Sequence, residues 1–310
     1  MALYLVTGGA GFIGSHIVEA LVRRGETVRV LDNFATGRRE NLVTVRERVD
    51  LHEADIRNLD TIRPLFGGVN YVIHEAALPS VPRSIKDPVT TNAVNIDGTL
   101  NVLVAAHEAG VKRVVFAASS SAYGDNPVLP RVENHEPRPL SPYALTKLAG
   151  EYYCQIFWRI YGLETVALRY FNIFGPRQNP DSPYSGVLSI FIAAYSRGKT
   201  PVIFGDGEQS RDFTYVENAV DATLRACGAQ EAVGKVVNVG VGGRNTLNET
   251  IALLNAIFGC QVSPRYDPPR PGDVRDSQAD ISLARQVLGY EPQVPFEEGL
   301  RRTVAWFREA

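Results

Sequence analysis

The chain has 310 residues, of which 45% are hydrophobic and 21% charged, and its formal net charge is -2 at pH 7. Such a composition is typical of a globular protein and provides no overall positive field that would attract nucleic acid or an anionic membrane. The three cysteines include no C-x-x-C pair, which argues against a disulfide framework and a zinc site. We therefore expect no bound metal, no nucleic-acid partner and no membrane contact.

The first apolar run, residues 3–6, stops at Gly8. It is too short for a secretion signal, and no basic segment precedes it. No stretch approaches the roughly 20 apolar residues needed to cross a bilayer. These features predict a cytoplasmic protein.

The first half of the sequence alternates short apolar runs with longer helical patterns. Strands are predicted at residues 2–7, 27–31, 49–53, 71–74, 113–118 and 165–170, and helices at 11–24, 89–109 and 143–161. Strands that are apolar almost throughout are expected in a parallel sheet covered on both faces. The alternation therefore predicts an α/β fold with a Rossmann-type doubly wound parallel sheet.

The pattern changes after residue 174, where proline and glycine become frequent. Further helices are predicted at 186–196, 247–258, 281–288 and 297–308. We expect a first domain at 1–174 and a smaller α/β domain at 175–310, with an apolar strand at 236–239 returning to the first sheet. Ligands of open α/β sheets bind outside the carboxyl ends of the strands, so the cleft is expected between those ends and the second domain.

A glycine-rich segment, T-G-G-A-G-F-I-G at residues 7–14, lies between the first predicted strand and helix. Its three regularly spaced glycines suit a tight turn, close approach of a pyrophosphate, and close packing of helix on strand. Asp32 ends the second predicted strand, where a carboxylate can bind a ribose diol and repel a 2′-phosphate. An aspartate that merely closes a turn is the alternative. The combination predicts NAD rather than NADP, and the nearby Arg38 and Arg39 are expected to be solvated.

Tyr143 and Lys147 lie four residues apart at the start of a predicted helix and therefore on one face. A nearby cation favours the phenolate form of tyrosine, as does the positive charge of an oxidised nicotinamide. The preceding strand ends in Ser119, Ser120 and Ser121, at the edge of the sheet where the cleft is expected. A polar loop beside an ordinary surface helix is the alternative. The arrangement predicts an active site with a tyrosine base.

These motifs resemble the extended short-chain dehydrogenases/reductases, and within them the UDP-galactose/UDP-N-acetylglucosamine 4-epimerases. The resemblance covers essentially all 310 residues. Besides residues 7–14, it rests on D-N at 32–33, A-D-I at 54–56, H-E-A-A at 74–77, N-I-D-G-T at 95–99, S-S-S-A-Y-G at 119–124, S-P-Y-A-L-T-K at 141–147, R-Y-F-N at 169–172, G-D-G-E-Q-S-R-D-F at 205–213 and R-P-G-D at 270–273.

The resemblance implies NAD as cofactor and a UDP-sugar as substrate. Tyr143 would be the base, Lys147 its electrostatic partner and Ser119 the hydroxyl that bridges the sugar O4. The residues placed at NAD are Gly8, Gly11, Phe12, Ile13, Gly14, Asp32, Asn33, Gly37, Asp55, Ile56, Ala76, Asn95, Ser119, Tyr143, Lys147 and Tyr170. The residues placed at the substrate are Ser80, Ser120, Ser121, Asn172, Val187, Leu188, Phe204, Arg211, Arg270, Asp273 and Ser277.

Related reactions need side chains that this sequence lacks. The sugar-nucleotide 4,6-dehydratases, which share most of these motifs, carry Asp-Glu where this chain has Ser120 and Ser121. UDP-glucuronate decarboxylases usually carry Glu at the position of Ser121. A 4-epimerase needs only one base, one hydroxyl and a retained cofactor, which favours UDP-hexose 4-epimerisation. A non-catalytic regulator that binds NAD or a sugar nucleotide is a second hypothesis, because a fold alone does not define function.

Two finer expectations also come from the family. Ser277, four residues after Asp273, matches a position beside the sugar C2 substituent, where a small residue admits an N-acetyl group and a tyrosine excludes it. The alternative is that Ser277 caps the helix that follows. The helices near 91–109 and 143–161 pair between subunits in this family, so we expect a homodimer. Apolar surface for that contact is expected from Tyr152, Tyr153, Ile156, Phe157 and Ile160.

Overall fold

The computed structural model describes residues 1–179, 186–269 and 274–309. The strands are β1 (Leu3–Thr7), β2 (Thr27–Asp32), β3 (Val49–Glu53), β4 (Tyr71–His74), β5 (Arg113–Ser119), β6 (Glu164–Tyr170), β7 (Ile173–Phe174), β8 (Val202–Phe204), β9 (Ser210–Arg211), β10 (Thr214–Tyr215), β11 (Val236–Val239), β12 (Asn245–Thr246) and β13 (Arg265–Asp267). The helices are α1 (Phe12–Arg23), α2 (Leu59–Ile62), α3 (Val81–Lys86), α4 (Pro88–Asn92), α5 (Gly98–Glu108), α6 (Pro142–Tyr161), α7 (Val187–Ser196), α8 (Val216–Gly228), α9 (Leu247–Phe258), α10 (Ser282–Leu288) and α11 (Phe296–Glu309).

Seven of the described strands form a parallel sheet in the order β11-β6-β5-β4-β1-β2-β3. The order reverses direction between β1 and β4, as in a doubly wound sheet, which confirms the predicted fold class. Val236–Val239 pairs in parallel with β6 at the edge of this sheet. The remaining described strands form two-stranded ladders beyond its carboxyl edge, β10 with β7, β12 with β9 and β13 with β8.

Hydrophobic side chains cover both faces of the sheet. Successive residues of a strand point to opposite faces, so Leu5 packs with α5 and α6 while Val6 packs with α1 and α8. Both side chains are fully buried. This two-sided burial explains why the strands are apolar almost throughout. Within the described ranges, no helix is both long and apolar enough to cross a membrane.

The helix predicted at residues 89–109 is confirmed as one continuous helical run over residues 88–108, in which a π-helical turn at Ala93–Asp97 joins α4 to α5. The Asp87 side chain accepts a hydrogen bond from the Thr90 backbone and so caps the start of α4. The helix α8, which packs against α1 below the sheet, was not predicted from the sequence.

Candidate active site

A large cleft opens at the carboxyl edge of the central sheet, where the chain after β1, β2, β4, β5 and β6 meets the segments around β8, β9 and α7. Its volume is about 2370 Å³. Pockets for one small molecule usually measure roughly 300–1,000 Å³. The cleft can therefore hold a dinucleotide and a second nucleotide-sized ligand together.

Most residues assigned to the cofactor line this cleft. They are Gly8, Gly11, Phe12, Ile13, Asp32, Asn33, Gly37, Ile56, Ala76, Ser119, Tyr143, Lys147 and Tyr170. Gly14 and Asn95 lie behind the lining residues. Asp55 lies in a small neighbouring depression, where Arg57 donates two side-chain hydrogen bonds to its carboxylate and Asn33 donates a third. The bonds from Arg57 hold the pKa of Asp55 at about 2, so this group is ionised.

The glycine turn brings the backbone close to the cleft. Gly8 adopts φ +69°, and a Cβ there would lie 2.7 Å from the backbone nitrogen of Ala76. A Cβ at Gly14 would lie 2.2 Å from the carbonyl oxygen of Gly8, so α1 can approach the turn only with glycine at this position. At Gly11 the nearest atom to a Cβ is the same oxygen, at 3.0 Å. Gly11, Phe12 and Ile13, at the start of α1, line the cleft, and the start of a helix is where backbone N–H groups can bind a phosphate.

Asp32 is buried at the end of β2. Its carboxylate accepts hydrogen bonds from the backbone N–H groups of Ala10 (2.9 Å) and Phe34 (2.8 Å), and burial raises its pKa. A Cβ on Gly37 would lie 2.8 Å from either carboxylate oxygen, so glycine leaves the approach from the cleft open. The remaining lone pairs can accept hydrogen bonds from a ribose diol, which is the geometry expected of an NAD site.

Two residues near this site make contacts that the sequence did not predict. Arg39 is exposed to solvent, as expected, and it also forms an ion pair with Glu53 and stacks 3.9 Å from the ring centroid of Phe34. Asn95 is buried, and its amide accepts from the Leu78 backbone N–H at 2.8 Å and donates to the Thr146 hydroxyl at 3.0 Å. Asn95 therefore fixes the segment after β4 against α6.

Ser119, Tyr143 and Lys147 meet in the cleft between the end of β5 and the start of α6. Ser119 shares a hydrogen bond with the Tyr143 hydroxyl and accepts one from the Ser121 hydroxyl at 2.8 Å. The Lys147 ammonium group donates to the Ala117 carbonyl at 2.7 Å. The Ser141 side chain caps α6 by accepting a hydrogen bond from the Ala144 N–H, which fixes the turn that carries Tyr143.

Burial raises the pKa of the Tyr143 phenol, and the hydrogen bond from Ser119 opposes the rise without cancelling it. Burial also lowers the pKa of Lys147. A positive charge beside the phenol, such as that of an oxidised nicotinamide, would favour the phenolate.

Glu75 lines the cleft and belongs to the H-E-A-A motif at 74–77, although it is not among the predicted site residues. It follows β4 and contacts the Tyr170 hydroxyl at 2.9 Å. Burial raises its pKa, and Lys147 opposes that rise. The signal in the sequence was an acidic residue directly after an apolar strand.

Most residues assigned to the substrate also line the cleft. Those that line it are Ser80, Ser120, Ser121, Asn172, Val187, Phe204, Arg211 and Ser277. The side chain of Leu188 instead points into the core, one position round the helix from Val187. Arg211 donates to the carbonyl oxygens of Ser210 and Arg275, at 2.9 and 2.8 Å. Arg270 and Asp273 lie outside the described residues.

Ser277 does not cap a helix, so that alternative is wrong. The next helix, α10, begins five residues later, and its N-cap is Ile281. The Ser277 hydroxyl instead accepts a hydrogen bond at 3.0 Å from the amide of Asn172. The two side chains thus form a polar contact that bridges the end of β6 and the segment before α10.

The glycine turn, the acid that ends β2 and the Ser-Tyr-Lys set beyond β5 define an NAD-binding enzyme of the Rossmann class. The residues fit the cofactor, because the turn leaves backbone N–H groups exposed and Asp32 faces the cleft. The chain belongs to the NAD dependent epimerase/dehydratase family, whose model matches residues 4–240.

Full-length relatives agree with this assignment. A UDP-glucose 4-epimerase of Mycolicibacterium smegmatis is 40% identical over 308 residues, covering 98% of both chains. A crystal structure of UDP-glucose 4-epimerase from Thermotoga maritima with UDP-glucose superposes with a TM-score of 0.95, at 41% identity and 99% coverage of both chains. A UDP-N-acetylglucosamine 4-epimerase from Methanobrevibacter ruminantium, in complex with UDP-N-acetylmuramic acid, has a TM-score of 0.95 at 40% identity, covering 99% of this chain and 98% of the other.

A less similar relative, a UDP-glucuronate 4-epimerase of Thermodesulfobacterium geofontis, is 36% identical and covers 100% of this chain and 97% of its own. The matches confirm the predicted family, the isomerase class and NAD as the cofactor. They include enzymes named for different sugars.

Proposed function

We propose that the protein interconverts UDP-hexoses that differ in configuration at C4, taking UDP-glucose and UDP-galactose and also their N-acetylated counterparts. The observation that carries this proposal is the meeting of Ser119, Tyr143 and Lys147 in a cleft whose neighbouring positions, Ser120 and Ser121, bear hydroxyls. A dehydratase needs an acid and a base there, and a serine hydroxyl does neither well near neutral pH. The intact catalytic set also argues against a non-catalytic regulator.

In this mechanism NAD, when bound, supplies the acceptor and donor for the hydride of the sugar C4. Tyr143 would accept the proton of the O4 hydroxyl, directly or through Ser119, and would return a proton to O4 once the configuration at C4 has been inverted. Lys147 holds positive charge beside the phenolate. Residues 1–174 would carry the cofactor, and residues 175–310 would bind the UDP group through Arg211 and the loops near it.

The choice of sugar rests on the volume beside Ser277. This residue has a small side chain, lines the cleft and contacts Asn172. A tyrosine in its place would fill the space that we assign to the C2 substituent, and overpacking of an ordered site costs roughly 1–3 kcal/mol. We therefore expect both plain and N-acetylated hexoses to fit.

A product assay tests the proposed reaction. The protein is incubated separately with UDP-glucose, UDP-N-acetylglucosamine, their 4-epimers and UDP-glucuronate, and the products are separated. We expect the 4-epimer of each of the first four compounds. Loss of water from the sugar would identify a dehydratase, conversion of UDP-glucuronate alone would identify a uronate enzyme, and no turnover of any compound would favour the regulator.

The Ser277→Tyr variant tests the choice of sugar. We expect it to abolish turnover of the N-acetylated pair while UDP-galactose is still converted, because only the larger substituent meets the new ring. Ser282→Tyr, at an exposed position at the start of α10, is the matched control and should leave both activities intact. A wild-type enzyme that converts UDP-galactose but gives no product from UDP-N-acetylgalactosamine would show that Ser277 is not the gate.

A further inference from the structure

Glu75 ends a chain of three short polar contacts that runs from the cleft into the core. Glu75 Oε1 lies 2.9 Å from the Tyr170 hydroxyl, and that hydroxyl lies 2.7 Å from Thr223 Oγ1. Thr223 Oγ1 in turn lies 2.7 Å from the backbone carbonyl of Ala219, within α8. Each contact is at hydrogen-bond distance and so requires one hydrogen.

The two hydroxyls supply only two hydrogens for these three contacts. The Ala219 carbonyl can only accept, so Thr223 donates to it. Tyr170 must then donate to Thr223, which leaves no hydrogen between Tyr170 and an ionised Glu75. A proton on the Glu75 carboxyl supplies the missing hydrogen and satisfies the whole chain.

The charged and titratable groups around Glu75 act on its carboxyl in both directions. Lys147 and Tyr143 face it from α6, Tyr170 from β6, and His74 precedes it on β4. Burial raises the pKa of Glu75, with Tyr170 and Lys147 opposing, and burial lowers the pKa of His74 to about 3, so His74 is uncharged. Cys227, on α8, lies behind Tyr170, and burial raises its pKa as well, so the thiol is neutral.

We propose that Glu75 is protonated in the resting enzyme and acts as a positioning residue that keeps negative charge away from Tyr143. An ionised Glu75 raises the pKa of the Tyr143 phenol, because two negative charges repel. A proton on Glu75 therefore makes the phenolate easier to form. The role in catalysis rests on the proposed function of Tyr143, whereas the proton on Glu75 does not.

Infrared spectroscopy of the NAD-bound protein detects this proton without substrate. At about pH 6 an ordinary glutamate is ionised, since its usual pKa is about 4.3. We expect the spectrum of the wild type minus that of Glu75→Gln to show the carbonyl stretch of a protonated carboxyl, which disappears as pH rises. Glu40→Gln, at an exposed position, is the control and should give no such band. A carboxylate signal for Glu75 at about pH 6 would overturn the proposal.

Thr223→Val tests the hydrogen count itself. Without the Thr223 hydroxyl, Tyr170 is free to donate to Glu75 and stabilise its ionised form. The carboxyl band should then titrate lower, by on the order of one pH unit, the value of one hydrogen bond to a charged group. Thr250→Val is the matched control, because Thr250 is equally buried and donates to the carbonyl of Thr246, four residues before it. This hydrogen bond does not belong to the three contacts between Glu75 and Ala219. An unchanged midpoint in Thr223→Val would contradict the proton chain.

The effect on Tyr143 is measured by titrating the ultraviolet absorbance of its phenolate with pH. The signal of Tyr143 is the difference between each protein and the same protein with Tyr143→Phe. Glu75→Gln should lower the pH midpoint of Tyr143 relative to the wild type, because Glu75 has lost its proton by the pH at which the phenol titrates, whereas glutamine never ionises. An equal midpoint would remove the positioning role. If no UDP-sugar is converted, the proposed function fails, while the infrared result still decides whether Glu75 holds a proton.

Discussion

Tyr143 shows how one side chain depends on its surroundings for reactivity. Its position at the start of α6 brings it to Ser119, yet burial raises the pKa of the phenol. Burial likewise lowers the pKa of Lys147, whose ammonium group is held by the Ala117 carbonyl. The fold therefore positions the phenol, and a positive charge beside it would increase the fraction present as phenolate near neutral pH, which couples reactivity to cofactor binding.

Removal of the phenol oxygen tests this role at the residue scale. Tyr143→Phe should keep the fold and NAD binding, because the hydrogen bond with Ser119 is the one that the structure describes for this side chain and the one that is lost. Turnover should fall on the order of 10²–10⁴-fold, the usual contribution of a general base. Product formation from UDP-galactose and fluorescence titration with NADH measure the two properties separately. Epimerisation near the wild-type rate would refute the assignment.

At the scale of an element, the turn between β1 and α1 depends on close packing of its backbone. Gly14→Ala places a methyl group 2.2 Å from the Gly8 carbonyl oxygen, so the turn or the helix must shift. We expect a loss of about 1–3 kcal/mol in the free energy of unfolding and weaker NAD binding, because the exposed N–H groups move. Thermal unfolding and NAD titration check both effects. Gly228→Ala, where a Cβ meets no atom within 4 Å, should change neither, and equal behaviour of the two variants would rule out the packing argument.

Elements with a local signal were predictable from the sequence, and those defined by distant contacts were not. Val49–Glu53, Tyr71–His74 and Leu247–Phe258 have the predicted bounds, because apolar periodicity and flanking turns specify them locally. The π-helical turn that joins α4 to α5 contains the buried Asn95, whose partners Leu78 and Thr146 are distant in sequence. No periodic pattern contains that information.

The candidate site divides in a similar way. The glycine turn, Asp32 and the Tyr143–Lys147 spacing are short motifs, so sequence alone brings them to notice. The chain from Glu75 through Tyr170 to Thr223 joins β4, β6 and α8, and only the folded sheet order brings these residues together. Likewise, the ion pair between Arg39, in the loop after β2, and Glu53, at the end of β3, forms only once these two strands lie side by side.

At the scale of the whole molecule, one face of α6 is apolar and uncovered. Leu145, Tyr152, Ile156 and Ile160 lie on one stripe of the helix, and their exposed fractions are 54, 51, 42 and 71%. Two of the residues expected there are placed differently, since Phe157 is buried and Tyr153 packs partly against the core below. The stripe is nevertheless long enough to cover one side of a 20-residue helix. Contiguous exposed apolar surface of this kind usually marks a protein interface.

We predict that this stripe joins two copies of the chain, because a helix face can pair with its own copy about a two-fold axis. Light scattering at micromolar concentration should give twice the mass of one chain. Ile156→Glu places a charge at the centre of the stripe, where burial without a partner is costly, and should yield monomers. Val43→Glu is the matched control, because Val43 is an exposed apolar residue remote from α6, and it should remain dimeric. A monomeric wild type, or a dimer that Ile156→Glu leaves intact, would place the interface elsewhere or remove it.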